Sequence, residues 1–155
     1  MPQRDPDMEG PGPGLRERRG YNLAHVKVLL VSHDPAVRGL MATALRSLER
    51  GTGEPPLFVH AKDGVQGIRL AWRELPDVVI ADEIASRAGA FALARDLKGA
   101  TEPFPGVIVI LLERPQDAWL AEWSGADAWF VKPVNPFELV DTITASTSRI
   151  REEAV

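Results

Sequence analysis

Asp77-Val78-Val79-Ile80-Ala81-Asp82 is an unbroken apolar run between two acids, with Pro76 directly before it. A run this short, rich in β-branched residues and bounded by turn formers, reads as a strand buried on both faces. Four more runs of the same kind lie along the chain. Val26 to Val31 is broken only by Lys27. Leu57-Phe58-Val59-His60, Val107 to Leu112 and Ala128 to Val131 are the others, and Val107 to Leu112 is the most hydrophobic. Strand 3 is therefore expected over Asp77 to Ala81, ending in Asp82.

Helical spacing separates these runs. Asp34-Pro35 opens the first helix, Asp as N-cap and Pro at the first helical position. Val37, Leu40, Met41, Ala44, Leu45 and Leu48 then form one apolar stripe. Gly51 to Pro56 breaks the chain. Asp63-Gly64 starts a second helix with Val65, Ile68, Leu70 and Ala71 expected to face inward. A third runs from about Gly89 to Lys98. A fourth, Pro115 to Ser124, is closed by Gly125, a C-terminal cap signal. Asn135-Pro136-Phe137-Glu138 carries the N-cap, proline and third-position acid of a helix start. That last helix is expected to run to about Ile150.

Five strands alternating with five helices imply an α/β fold: a doubly wound parallel sheet with helices on both faces, a three-layer sandwich. Right-handed crossovers and five βα units favour the flavodoxin-like order 2-1-3-4-5. That order puts the topological switch point between strands 1 and 3, which end in Ser32-His33-Asp34 and Asp82. Lys132-Pro133 ends strand 5 on the same carboxyl edge, where open α/β sheets bind ligands. An Asp facing a Lys there points to a carboxylate that accepts a phosphoryl group, with an ammonium to neutralise the added charge.

The chain has 155 residues, a formal charge of −4 and no cysteine. One domain with its own core is expected. The acidic balance argues against nucleic acid as a partner. Disulfides, thiol catalysis and cysteine-held metal are excluded. No apolar run reaches the roughly 18 residues of a membrane span, so no membrane partner is expected and a cytoplasmic location is the default. Residues 1–23, crowded with Pro, Gly and charge, read as a disordered N-terminal tail. Residues 24–150 form the domain, and 151–155 a C-terminal tail.

Four stretches resemble the receiver domain of two-component response regulators: Val28 to Arg38 (VLLVSHDPAVR), Ala61 to Ala71 (AKDGVQGIRLA), Pro76 to Asp82 (PDVVIAD) and Gly125 to Leu139 (GADAWFVKPVNPFEL). The resemblance covers about residues 25 to 148. It implies that Asp82 is the position phosphorylated by a histidine kinase and that Lys132 neutralises the phosphate. It also implies that Pro133 follows a peptide bond that is often cis. The family's acidic pair falls at Ser32 and His33, neither of which suits magnesium. A metal would then rest on the positions Asp34, Asp82 and Ile84, in a site built of one or two carboxylates, a backbone carbonyl and waters, and only weak magnesium binding is expected. The family's switch hydroxyl at the end of strand 4 falls at Leu111 or Leu112, and its aromatic switch at Trp129. The family's Pro and Gly after the phosphoacceptor fall at Ser86 and Ala90.

Bland roles stand beside these. Asp34 has an N-cap role that accounts for it without metal, and His33 suits a partly exposed edge position near Asp82. His25 and His60 have no cluster around them. Trp119 and Trp123, four apart on the short fourth helix, share a face and are candidates for core packing or for a protein interface.

The leading expectation is an atypical, stand-alone receiver-like signalling protein, not an enzyme. It would act by contact with a histidine kinase or other signalling protein, or by forming a homodimer. The alternative is a conventional phosphorylated receiver using Asp34 and Asp82 for magnesium. In that case Asp34→Ala would abolish phosphorylation rather than merely weaken a helix cap. A small flavodoxin-like ligand-binding protein is the third reading. It is disfavoured because Ser32-His33-Asp34-Pro35-Ala36 lacks the glycines of a phosphate loop.

Overall fold

The computed structural model describes residues 25–83 and 89–154, with side chains described through residue 149. The N-terminal tail and Ile84 lie outside the described residues. Five strands, β1 (Lys27–Val31), β2 (Leu57–Ala61), β3 (Val78–Asp82), β4 (Val107–Leu112) and β5 (Ala128–Val131), form one parallel sheet in the order 2-1-3-4-5. The expected topology is therefore present. Asp82 is the last residue of β3 itself, in register with Leu111 of β4.

The helices are α1 (Pro35–Leu45), α2 (Gly64–Glu74), α3 (Ala90–Lys98), α4 (Ala118–Ser124) and α5 (Pro136–Ala154). Their ends are set by the residues that the spacing singled out. Asp34 Oδ1 accepts from Ala36 N at 2.9 Å, Asp63 Oδ1 from Gln66 N at 2.8 Å, and Asn135 Oδ1 from Phe137 N at 2.9 Å. Each satisfies an amide that has no partner within its helix. Gly125 ends α4 with φ 87°, a conformation that costs other residues more.

Alternation along the buried strands splits the core in two. Leu29, Val31, Val79, Ala81, Ile108, Ile110 and Leu112 pack beneath α2, α3 and α4. Val28, Leu30, Val78, Ile80, Val107, Val109 and Leu111 pack against α1 and α5. The period-2 geometry of a strand requires this division once both faces are covered.

Several local features differ from expectation. Leu40 and Val65, placed inward by spacing, are 72% and 48% exposed. Met41, Leu45 and Leu48 form the buried line beside α1, while Gly64, Gly67 and Ala71 form that of α2. Leu40 and Val65 each sit one residue, roughly 100°, off those lines. After α1 the chain stays helical through a 3₁₀ turn at Arg46–Leu48 and a turn at Glu49–Thr52, ended by Gly53. The fourth helix begins as a 3₁₀ turn, Pro115–Asp117. The last helix continues to Ala154, past the boundary read from sequence.

No helix among the described residues is long and apolar enough to cross a membrane.

Candidate functional site

The sheet order brings the ends of β1, β3, β4 and β5 together, and the polar residues expected at that edge meet there. Asp82 is 2% exposed. Lys132 Nζ donates to its Oδ1 at 2.7 Å, and the buried Ser32 Oγ donates to its Oδ2 at 3.0 Å. Ser32 Oγ in turn accepts from the backbone N–H of Asp34 at 3.1 Å. The carboxylate is thus gripped by groups from the ends of β1 and β5. The Lys132–Pro133 peptide is cis.

Lys132 has a second carboxylate partner that the sequence reading missed. Its Nζ lies 2.5 Å from Glu113 Oε1, on the residue directly after β4. Burial lowers the Lys132 pKa, but hydrogen bonds and charge from Asp82 and Glu113 outweigh it, so the ammonium is held above its usual range. Glu113 is itself anchored, because its backbone N–H donates to Glu83 Oε2 at 2.5 Å. Burial, reinforced by hydrogen bonding to Asp117, raises the Glu83 carboxyl, whereas hydrogen bonds from Glu83 and Arg114 lower that of Asp117. Arg114 closes this outer layer with an ion pair to Asp117 at 3.2 Å. The available signal was an acid immediately following the central strand.

The other expected positions divide clearly. Asp34 lies at the site's edge, but its carboxylate caps α1. His33 is exposed beside Ser32. Leu111 is buried and faces the α1/α5 layer, where with Val37, Met41, Pro133 and Leu139 it lines a cavity of about 480 Å³ bordered by Lys132. Trp129 packs half-buried on the opposite face, against the α2/α3/α4 core. Trp119 and Trp123 are 65% and 54% exposed, and Arg95 stacks over the Trp123 ring at 4.7 Å. His25 Nδ1 hydrogen-bonds Pro55 O at 2.9 Å, and burial lowers the pKa of His60.

The described groups fit magnesium poorly. Both Asp82 oxygens already meet protein donors, Asp34 is turned to its helix, and imidazole and hydroxyl are poor partners for a hard cation. Among the described residues no group of three or more carboxylates, histidines or cysteines is placed to hold a metal ion.

A carboxylate at the switch point of a 2-1-3-4-5 sheet, paired with a strand-5 lysine ahead of a cis proline, is the arrangement of a response-regulator receiver domain. The chain belongs to that family. It is 36% identical over 86 residues to a response regulatory protein of Mycobacterium tuberculosis, a match covering 56% of this chain and 64% of that relative's length. It is 32% identical over 89 residues to the PilH protein of Pseudomonas aeruginosa, covering 56% of this chain and 74% of PilH. The receiver domain of a signal transduction histidine kinase from Syntrophus aciditrophicus has the same fold, with a TM-score of 0.69 at 22% identity over 81% of this chain and 92% of that one. So does the receiver domain of a sensor histidine kinase from Pseudomonas aeruginosa, described with a magnesium ion coordinated in its active site cleft. Its TM-score is 0.69 at 20% identity, covering 80% of this chain and 98% of that one. No family model matches the chain.

Proposed function

We propose that this receiver-like signalling protein presents Asp82 as its phosphoacceptor position and Lys132 as the group that neutralises the acquired charge. The observation that carries the reading is the 2.7 Å contact between the Lys132 ammonium and the almost fully buried Asp82 carboxylate. A carboxylate oxygen attacks a phosphoryl group and expels its leaving group; the ammonium offsets charge gathering on the transferred oxygens. The arriving group must first displace the Ser32 hydroxyl or Lys132 from the carboxylate.

The output in this reading is contact with another protein, a histidine kinase or another signalling partner, rather than enzymatic turnover. The exposed Trp119 and Trp123 support such a contact, because tryptophan is concentrated at interface hot spots. A homodimer is the second arrangement this surface serves. The acidic balance supports a protein rather than a nucleic-acid partner, and the absence of cysteine supports the cytoplasm. Magnesium has a weak role at most, given the donor set around Asp82.

The test is incubation with acetyl phosphate followed by mass spectrometry of intact and digested protein. Modification at Asp82, lost in Asp82→Ala, is the expected result. Modification elsewhere, or none under any cation, would sink the assignment.

A further inference from the structure

We propose that Glu113 is a built-in occupant of the anion position beside Lys132: its carboxylate holds the ammonium where a phosphoryl group on Asp82 would otherwise hold it. The inference rests on the reading of Asp82 given above and adds a gate to it.

Three observations converge. Lys132 Nζ touches Asp82 Oδ1 and Glu113 Oε1 at once, at 2.7 and 2.5 Å, so one cation already serves two carboxylates. The Glu113 backbone is pinned from the other side by Glu83, whose own backbone N–H bonds Leu111 O at 2.9 Å. The backbone that carries this acid is therefore placed by the ends of β3 and β4. Finally, the end of β4 offers no hydroxyl, since Leu111 and Leu112 are buried in opposite apolar layers. The polar group this strand end sends to Lys132 is a negative one.

The electrostatic consequence follows directly. Asp82 and Glu113 together outweigh Lys132, and the neighbouring Arg114 is paired with Asp117. A further anion at Asp82 meets Glu113 as a like charge competing for the same ammonium. Glu113 keeps 36% of its side chain exposed while Asp82 keeps 3%, so Glu113 is the partner able to leave. The Glu113 side chain thus occupies the position beside Lys132 without phosphate or a divalent ion, and vacates it when displaced or neutralised.

Orthophosphate serves as the probe, followed by amide NMR shifts at Leu112, residue 113 and Lys132, with circular dichroism to establish folding. Glu113→Gln preserves shape and removes charge. It should bind orthophosphate at least about tenfold more tightly than wild type, and Lys132→Gln in the same background should abolish the gain. Equal binding by wild type and Glu113→Gln, or a gain that survives Lys132→Gln, would overturn the gate. Acetyl phosphate labelling separates this inference from the one beneath it. If Glu113→Gln gains orthophosphate binding while neither protein is labelled at Asp82, the gate stands and the phosphoacceptor reading falls. If both are labelled at equal rates and bind orthophosphate equally, the gate falls and Asp82 remains the acceptor.

Discussion

The Ser32 hydroxyl donates to Asp82 Oδ2 at 3.0 Å, both residues lying within the buried end of the sheet. The group beside Asp82 at the end of β1 is a neutral hydroxyl, so the carboxylate is stabilised by a donor instead of being crowded by another charge.

Replacing that donor has a defined cost. Ser32→Ala removes one hydrogen bond from a buried carboxylate and the acceptor of the Asp34 N–H. The expected loss is about 1–3 kcal/mol, measured by urea unfolding. A change below a few tenths would mean that the bond contributes nothing net.

Ser32→Asp should reverse the cation behaviour. A second carboxylate beside Asp82 destabilises the protein in chelator, because like charges in a buried site repel. Magnesium then has two carboxylates to bridge and should recover about 1–3 kcal/mol at saturating concentration, whereas wild type should gain almost nothing. Thermal melts with and without magnesium decide this, and strong magnesium stabilisation of wild type would refute the misfit of its donor set.

Asp34 is expected to behave as a helix cap. Asp34→Ala removes the acceptor for Ala36 N and should lower stability by about 1 kcal/mol. Asn at this position should restore most of that. Labelling of Asp82 by acetyl phosphate should continue in both variants. Its abolition in Asp34→Ala with folding intact would favour a metal role for this carboxylate.

Acid should weaken an ion pair remote from the site. Lys27 Nζ lies 2.8 Å from Glu74 Oε2, and hydrogen bonding and charge from Lys27 hold the Glu74 carboxyl below its ordinary range. A carboxyl depressed in the folded state adds stability that is present above its unfolded value. That stability is lost as pH falls through the folded value. Unfolding midpoints measured downward from pH 6 should therefore fall more steeply for wild type than for Lys27→Met. Parallel curves would show that the pair does not contribute.

The two exposed tryptophans predict a separation of stability from binding. Trp123→Ala removes a ring that packs on Arg95 at the surface, so stability should change by only about 0.5 kcal/mol. Pull-downs with wild type, Asp82→Ala and Trp123→Ala should show the partner lost chiefly with Trp123. Equal capture by wild type and Asp82→Ala would establish signalling independent of phosphorylation.

Much of the fold was legible because it rests on local patterns. Strand runs, the Asp34, Asp63 and Asn135 caps and the Gly125 stop depend on residues within a few positions of one another. Handedness and burial then left one sheet order to prefer. Leu40 and Val65 were misplaced because a helical stripe has a width, and only the neighbouring layer decides which flank of it is covered. Glu113 was missed for a different reason. An acid after a strand has many places to point, and its contact spans 19 residues of chain to Lys132.

By itself, then, the sequence determined the doubly wound sheet and the positions of Asp82, Lys132 and Ser32 at its carboxyl edge. Alternating burial and strand ends are properties of composition and order along the chain. Only the tertiary structure decided how these groups divide their charges. It turned Asp34 to its own helix, gave Ser32 to Asp82, and shared Lys132 between Asp82 and Glu113. Hydrogen bonds and ion pairs act over a few ångströms, and side chains reach those distances only once β1, β3, β4 and β5 lie side by side.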